Sequence, residues 1–524
     1  MNPLSNRIRA LFSTSSISWA ILTLIVCALG FYNLGNSPLP WHDEGAALSL
    51  AKTLATEGVY ASRNLNEYQT FGPVQSVGPT VILPVALNFK LFGVSLLNGR
   101  IIAAIFFVLT ILVFLGLFRK LFDYPTAWLA VALLLSSPAA KMLFHGRQVV
   151  GEVPALGFLV AGCLLAEKGI ETRRNHLLIA SGSAFGLSIL TKNTYAIFVL
   201  GALFLIASYD LFFHRRARLR ALVIIGVTAL LWFAGWQLWQ YAYFGIETMR
   251  ENAQKFATLA NAATGFDLST SLLSFKFLFD SSSGFFYMFW GLPACLYFVI
   301  WAHVHYRQNF SPLFLWVFAM LWLGYYLFWS KPWLSYVFVP SALTAVFVSK
   351  LWLDAFKRLR DSQPIDLEIK IGHFPRIDVL VALVLATASL TILYPLQNLI
   401  QENVLSKSSV LQELKNEINN KIPETAIIET WERELDILTN RRYHYPDQAM
   451  LASVHRHIYR GGPLDYALGE DYFKNNSIDY LIIGWFGRWT SIYDMQYVTT
   501  HSEMIAVIGE GEVRYEVFKL STKP

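Results

Sequence analysis

The chain has 524 residues, of which 55% are apolar and only 15% are charged, and its mean hydropathy is +0.43. These values exclude a soluble protein of several domains, a disordered chain and a collagen-like repeat. The aromatic content of 15% fits a protein with many boundaries between water and lipid, where amphipathic rings settle. The composition therefore predicts a polytopic α-helical membrane protein.

The net charge of +6 is distributed unevenly along the chain. Residues 1–396 carry 29 Lys and Arg against 18 Asp and Glu, whereas residues 397–524 carry 13 against 18. The bases of the first part lie in short loops between apolar runs, which is typical of cytoplasmic loops and not of a nucleic-acid surface. We therefore predict a membrane domain, 1–396, a C-terminal domain, 397–524, and no nucleic-acid partner.

A spanning helix needs about 20 mostly apolar residues. Eleven segments qualify, near 16–35, 100–118, 125–143, 153–167, 176–191, 195–213, 220–243, 285–302, 311–329, 333–350 and 377–396. With soft boundaries we expect about 11 to 13 transmembrane helices. Basic clusters follow every second crossing, so the loops 36–99, 144–152, 244–284 and the tail are predicted to lie on the outer face.

The first outer loop opens with two adjacent acids, Asp43 and Glu44. Apolar positions then recur at helical spacing until Gly58, which predicts an amphipathic helix at the membrane surface. One interpretation makes Asp43 an N-cap and Glu44 a first-turn acid. The other makes them a carboxylate site that deprotonates an acceptor hydroxyl or helps to hold a cation.

The apolar stretch 81–92 is predicted to be an interfacial or re-entrant helix, shortened by Pro79 and Pro84. A crossing at this position would place Arg119, Lys120 and every later basic loop on the outer face. That arrangement contradicts the distribution of the bases.

Isolated charges follow in the later outer loops. One interpretation of Arg147 and Glu152 is an ion pair between them, with Arg147 snorkelling to the headgroups. The other is that Glu152 joins the carboxylate site and Arg147 binds an anion. Lys192 and Lys331 either bind a lipid phosphate as point charges or anchor the chain at the interface beside aromatic residues. The loop 244–284 is either a lid over the site or a solvated loop. The histidines lack the spacing of metal ligands, so no metal site is predicted.

The tail is predicted to form a small α/β domain on the outer face. Residues 396–421 have helical spacing, and 426–430, 480–484 and 513–520 have the composition of strands. No Walker loop, GxGxxG after a strand, HExxH or GxSxG motif is present. An enzyme with its polar loops outside must then draw its energy from a donor already carried across the membrane.

Several of these motifs together resemble one enzyme superfamily. The chain resembles the GT-C glycosyltransferases, in particular the protein-mannosyltransferase and lipid A aminoarabinose-transferase branch, glycosyltransferase family 39. The resemblance covers most of the chain. It rests on the basic N-terminus and first span, Asp43-Glu44 with Ala51, Leu54, Gly58 and Tyr60, Arg100 at the second span, the 147–152 loop, Leu190-Thr191-Lys192, and an outward tail with the 429–432 and 442–446 motifs.

The resemblance implies a GT-C-like fold with juxtamembrane helices in the first outer loop. It also implies transfer of a sugar from a polyprenyl-phosphate donor to a lipid, glycan or protein on the outer face, usually with inversion. The residues that it implicates are Asp43 as base or positioner, Glu44 beside it and Glu152 as second acid. We further predict that Arg147, Lys192, Tyr60, Arg100 and Lys331 bind substrate. It implies no cofactor, no metal for catalysis, and a place in the bacterial inner membrane.

Two other classes stay open on the sequence. A transporter or flippase of lipid-linked substrates would use membrane acids for coupling, but the predicted spans lack midplane charges and paired broken helices. A non-catalytic scaffold or sensor would tolerate neutralisation of Asp43 and Glu152. The sugar, the acceptor and the role of the tail are not predicted.

Overall fold

The computed structural model describes residues 14–70, 77–213, 216–280, 290–305, 309–361, 386–387, 389–464 and 466–521. Helices dominate the chain up to residue 405. In chain order they are α1 (Thr14–Phe31), α2 (His42–Glu57), α3 (Pro79–Phe92), α4 (Leu96–Leu121), α5 (Tyr124–Ser136), α6 (Met142–Gly146), α7 (Glu152–Thr172), α8 (Asn175–Thr191), α9 (Tyr195–Phe212), α10 (Arg216–Phe244), α11 (Ile246–Ala263), α12 (Leu268–Asp280), α13 (Leu292–His305), α14 (Ser311–Phe328), α15 (Phe338–Asp361) and α16 (Tyr394–Ile400).

Within the described residues, six helices are long and apolar enough to cross a membrane: α4, α7, α9, α10, α14 and α15. Five further apolar helices, α1, α3, α5, α12 and α13, are shorter. The predicted class, a polytopic helical membrane protein with a small C-terminal α/β part, is therefore confirmed. The last predicted span, 377–396, lies mostly outside the described residues, so the number of crossings stays a prediction.

Some predicted boundaries differ from the structure for local reasons. The third predicted span, 125–143, is interrupted, because α5 ends at Ser136 and Ser137 takes the extended backbone that precedes Pro138. Helix α15 begins at Phe338 after one 3-10 turn and continues to Asp361. Residues 281–284 of the predicted loop 244–284 lie outside the described residues. Its described part, 244–280, is not a loop, since it contains α11 and α12.

Helix α3 spans 14 residues and contains Pro84. At 1.5 Å per residue it is about 21 Å long, which is less than the roughly 30 Å of the hydrocarbon core. Its length therefore favours the predicted interfacial or re-entrant helix over a complete crossing.

The C-terminal part folds around a five-stranded mixed sheet with strand order β4-β3-β5-β7-β6. Strands β3, β4 and β5 are parallel, and β7 pairs antiparallel with β5 and β6. Its elements are α17 (Val410–Lys421), β3 (Ile427–Thr430), α18 (Leu435–Leu438), β4 (Arg442–His444), α19 (Leu451–Arg460), α20 (Glu470–Asn475), β5 (Tyr480–Ile483), α21 (Trp485–Thr490), α22 (Met495–His501), β6 (Ser502–Ile508) and β7 (Tyr515–Leu520); the hairpin β1 (Ser62–Asn64) and β2 (Glu67–Gln69) belongs to the first outer loop.

The three strands predicted in the tail are confirmed as β3, β5 and β7, whereas β4 and β6 were not predicted. The predicted helix 396–421 is divided into α16, a π-helical turn at Gln401–Leu405 and α17. The division of the chain into domains at residue 396 remains a prediction.

The C-terminal sheet contacts the start of α2. A Cβ atom added to Gly45 would lie 2.2 Å from the backbone nitrogen of Glu434, so the two backbones are in direct contact. The ring of His42 stacks on Phe486 with centroids 3.8 Å apart, and its Nδ1 lies 2.8 Å from the carbonyl oxygen of Trp431. The residues between β3 and α18 therefore fix the position of the first turn of α2, which carries Asp43.

Candidate active site

Asp43 is the second residue of α2 and is partly buried. Within the described residues its carboxylate forms no hydrogen bond or salt bridge. Burial raises the pKa of Asp43 to about 6, and the charge of Glu152 acts in the same direction, whereas Lys192 and Lys331 oppose them. At neutral pH the group is therefore mostly ionised, yet it binds a proton more readily than an ordinary carboxylate does.

Glu152 and Lys192 form an ion pair beside Asp43. Glu152 begins α7, Lys192 follows the end of α8, and the lysine Nζ donates to Oε1 of the carboxylate. Both side chains are less than one-fifth exposed, at 13% and 17%. The second carboxylate oxygen, Oε2, is buried and has no hydrogen-bond partner. The site thus combines two acids with two lysines.

Lys331 lies in the loop between α14 and α15 and is near His455 and Tyr459 of the C-terminal part. Its Nζ is 2.9 Å from Nε2 of His455 and lies 5.8 to 5.9 Å from the ring centroids of Trp333, Tyr336 and Tyr459. Burial lowers the pKa of Lys331 to about 8, while the charge of Asp43 opposes this shift. Lys331 thus remains mostly a cation at pH 7.

Buried polar atoms without a hydrogen-bond partner occur on several side chains of this region. They are His145 Nδ1, Glu152 Oε2, Tyr195 Oη, Tyr326 Oη, His455 Nδ1 and Tyr459 Oη. Folded proteins pair nearly all buried polar groups with protein or with bound water. A concentration of unpaired groups next to two acids and two lysines therefore indicates a site built for a polar ligand.

Glu44 does not belong to this site. Its carboxylate forms a bidentate ion pair with Arg100, at 2.8 Å to Nε and 2.5 Å to Nη2, and accepts a hydrogen bond of 3.0 Å from the backbone nitrogen of Val149. Both charged side chains are completely buried. This pairing favours a structural role for Glu44 and Arg100 over the catalytic and substrate-binding roles expected from the sequence.

Arg147 is likewise used inside the fold. It is completely buried, and its guanidinium donates to the carbonyl oxygens of Leu29, Gly30, Tyr32 and Ser37. These carbonyls lie at the end of α1 and in the connection that follows, so Arg147 satisfies a helix C-terminus. Its Nε is buried without a hydrogen-bond partner among the described residues. The predicted Arg147–Glu152 ion pair is absent, since Glu152 pairs with Lys192.

Tyr60 is buried in an aromatic cluster. Its ring packs edge-to-face against Trp236 and Trp239, at centroid distances of 5.7 and 5.8 Å. Its backbone nitrogen donates to the hydroxyl of Tyr243. These contacts attach the segment after α2 to α10 and favour a packing role over the substrate binding expected from the sequence.

Of the eight residues selected from the sequence, four meet at one place: Asp43, Glu152, Lys192 and Lys331. His145, His455 and Tyr336 also lie there, and the sequence did not indicate them as members of this site. His145 is one of the histidines that lack the spacing of metal ligands, and His455 is separated from Lys331 by 124 positions. Among the residues that the structure describes, no three His, Cys, Asp or Glu side chains are grouped so that they could hold a metal ion.

Comparison with known proteins shows which fold this chain shares. Residues 76–239 match the family described as dolichyl-phosphate-mannose-protein mannosyltransferase. ArnT from Cupriavidus metallidurans, solved in complex with undecaprenyl phosphate, superposes with a TM-score of 0.59 at 15% identity, over 96% of this chain and 97% of that chain. The chain has the GT-C glycosyltransferase fold.

The same GT-C fold relates the chain to an oligosaccharyltransferase of Archaeoglobus fulgidus, with a TM-score of 0.53 and 13% identity over 96% of this chain and 74% of that chain. A protein of Aquifex aeolicus described as uncharacterized is 27% identical over 282 residues, which are 52% of this chain and 54% of that protein. The alignment thus spans about half the length of this curated relative. The resemblance to the GT-C superfamily seen in the sequence is confirmed.

Proposed function

We propose that this protein is a membrane glycosyltransferase that moves a sugar from a polyprenyl-phosphate donor to an acceptor on the outer face of the membrane. The observation that carries the proposal is Asp43: a carboxylate with a pKa of about 6 and no hydrogen bond within the described residues. It lies at the start of a juxtamembrane helix, beside Lys331 and the Glu152–Lys192 pair. A general base suited to neutral pH has these properties.

The proposed chemistry is a single displacement. The acceptor oxygen attacks the anomeric carbon of the donor sugar and passes its proton to the carboxylate of Asp43. The bond between the anomeric carbon and the phosphate oxygen breaks, and its electron pair leaves on the phosphate. Lys331 and Lys192 stabilise the negative charge that develops there. Attack from the side opposite the phosphate inverts the anomeric centre.

The donor class is supported by location and by the structural relatives. A polyprenyl chain stays in the bilayer, so the sugar phosphate attached to it lies at the height of a juxtamembrane helix such as α2. ArnT from Cupriavidus metallidurans was solved with undecaprenyl phosphate, and the oligosaccharyltransferase AglB from Archaeoglobus fulgidus with a dolichol-phosphate. A lipid-linked sugar phosphate is the donor class that suits both observations.

We further propose that the acceptor is an envelope glycolipid, polysaccharide or protein, and that the chain lies in a bacterial inner membrane with residues 397–524 in the periplasm. The two lysines and the unpaired buried hydroxyls suit a site that receives a phosphate together with a polar sugar. Glu152, held by Lys192, is proposed to bind the sugar or orient the acceptor through its unpaired Oε2. No metal or other cofactor is part of the proposal.

The decisive experiment compares cells that lack the protein and are complemented with the wild type, with Asp43→Asn or with Glu57→Gln. Glu57 lies at the other end of α2, where it pairs with Arg63 at the surface, and it is the matched control. Mass spectrometry of envelope glycolipids, polysaccharides and glycoproteins should show one sugar missing from one product in the Asp43→Asn cells and present in the other two strains.

A rescue of that product by Asp43→Asn would remove Asp43 from the role of base. If deletion instead depleted a lipid-linked intermediate from the outer leaflet and Asp43→Asn restored it, the protein would be a flippase. The purified protein in lipid nanodiscs is then given the acceptor that the cells identify, together with undecaprenyl phosphates carrying mannose, glucose, galactose, arabinose or aminoarabinose. The donor is identified by the undecaprenyl phosphate released.

A further inference from the structure

Two side chains of the C-terminal part cover Lys331. His455 and Tyr459 are four positions apart on α19 and therefore lie on the same face of that helix. Nε2 of His455 is 2.9 Å from Nζ of Lys331, and the ring of Tyr459 lies 5.8 Å from the same atom. Helix α19 also packs along α11, which the sequence predicts to be part of a loop. One helix of the C-terminal part thus places two side chains against Lys331.

We propose that His455 is a positioning residue for the transfer reaction: by accepting a hydrogen bond from the Lys331 ammonium, it keeps this cation apart from Asp43. The inference rests on the proposed function. It gives the C-terminal part a defined task, because the lysine that faces the donor phosphate is then held from one side by α19. Asp43 in turn stays unpaired and available as the base.

The protonation state of His455 suits this task. Burial lowers the pKa of His455 to about 3, and the charge of Lys331 acts in the same direction, so the imidazole is neutral at working pH. A neutral imidazole accepts at one nitrogen and donates at the other. With Nε2 as the acceptor, the proton is on Nδ1, which is buried and has no hydrogen-bond partner. A buried donor without a partner destabilises the fold. A side chain that only fills space would avoid this cost, so the unpaired Nδ1 favours a role for the imidazole beyond packing.

The contact matters because of what surrounds the lysine. An ammonium group has three donors and no acceptor. Around Lys331 the rings of Trp333, Tyr336 and Tyr459 supply only weak cation–π attraction, and His455 is its hydrogen-bond acceptor. If His455 is replaced by an apolar residue, the opposite charge that acts on Lys331 is Asp43. The lysine is then expected to turn toward Asp43 and form an ion pair with the base.

The test compares three variants of the full-length protein in nanodiscs. His455→Leu keeps an apolar volume but removes the acceptor, and His455→Gln retains a side-chain oxygen that can accept from Lys331. His457→Gln is the control, because His457 is on the same helix but contacts the carbonyl oxygen of Gly462. The substrates are the undecaprenyl-phosphate sugars and the acceptor described above, with release of undecaprenyl phosphate as the readout.

We expect His455→Leu to lower kcat/KM by roughly tenfold to a hundredfold, the effect of losing a hydrogen bond to a charged group. His455→Gln should recover most of this loss, and His457→Gln should match the wild type. In His455→Leu the acid limb of the pH profile should also move to lower pH, because a lysine paired with Asp43 lowers the pKa of that carboxyl group. Among the described residues, the charged and titratable groups near Asp43 or Lys331 are Glu152, Lys192, Tyr336, His455 and Tyr459.

Three results would overturn the inference: a His455→Leu protein as active as the wild type, a His455→Gln protein as impaired as His455→Leu, or an acid limb that does not move. The last two would reduce His455 to a packing residue. A wild type that releases no undecaprenyl phosphate from any donor would instead reject the proposed function, and the inference with it.

Discussion

Asp43 and Glu44 are neighbours in the sequence, but they differ in environment. The Asp43 carboxylate has no hydrogen bond within the described residues, whereas Glu44 is saturated by Arg100 and Val149. We expect Asp43→Asn to lower turnover by about a hundredfold to ten-thousandfold, the usual contribution of a general base. A Glu57→Gln protein assayed in parallel with undecaprenyl-phosphate sugars should retain full turnover.

The same substitution should stabilise the protein. The pKa of Asp43 is about 6 in the folded state against an ordinary value of 3.8, so ionisation opposes folding. This free-energy cost of ionisation is absent below the ordinary pKa of 3.8 and fully present above pH 6. Asparagine removes it, and the melting temperature of Asp43→Asn at pH 7.5 should therefore exceed that of the wild type. A lower melting temperature would mean that Asp43 has a structural role.

The pH dependence of turnover also follows from single residues. Activity should fall as pH decreases through about 6, because Asp43 becomes protonated, and fall again above about 8, where Lys331 loses its charge. A bell-shaped profile of kcat/KM in nanodiscs is the expected result. A profile that stays flat down to pH 4.5 would contradict the assignment of Asp43 as the base.

At the level of elements, the Glu44–Arg100 ion pair joins α2 to α4 in a completely buried setting. Removing one partner leaves an uncompensated buried charge, which costs about 3 to 5 kcal/mol. Glu44→Gln and Arg100→Met should therefore each lower the unfolding temperature strongly, whereas the double variant Glu44→Leu, Arg100→Leu should recover part of the loss. Unchanged stability in Glu44→Gln, together with lost turnover, would restore the catalytic role expected from the sequence.

The contact between α2 and the C-terminal part depends on Gly45. A Cβ atom there would lie 2.2 Å from the backbone nitrogen of Glu434 and 2.4 Å from the carbonyl carbon of Arg433. Neither backbone atom can move without its segment, so Gly45→Ala should separate α2 from the end of β3 and lower turnover at least tenfold. The control is Gly226→Ala in α10, where no atom lies within 4 Å of the added methyl group. Equal activity of both variants would show that this contact does not position Asp43.

For the whole molecule, the contact at Gly45 requires α2 and the C-terminal sheet to be on the same side of the membrane. The positive-inside rule predicts that this side is the outer face of the membrane. Single cysteines at the exposed positions Glu57 and Lys474 should therefore react with a membrane-impermeant maleimide in spheroplasts, and a cysteine at Arg173 should react only after lysis. Labelling of all three before lysis, or of Arg173 alone, would contradict the topology.

Much of the architecture was predictable because it depends on local composition. Apolar runs of spanning length, bases in alternate loops and a helix following Asp43 require no knowledge of distant contacts, and they predicted the membrane helices, α2 and α3. The strands missed in the tail, β4 and β6, are stabilised by pairing with β3 and β7, which local patterns do not reveal.

The sequence by itself determined that this is a membrane chain with an acid-bearing helix soon after its first apolar segment, since hydropathy and charge act locally. Only the tertiary structure decided which of the two adjacent acids is free of an ion pair within the described residues and could act as a base. Neighbouring residues on a helix point about 100° apart, and the packing of α2 against α4 turned Glu44 toward Arg100 and left Asp43 facing the lysines. Likewise, Arg147 has the positive charge that an anion-binding residue needs, but its guanidinium donates to carbonyl oxygens at the end of α1. The partnership of Lys331 with His455 exists only because the C-terminal part folds back over the membrane helices.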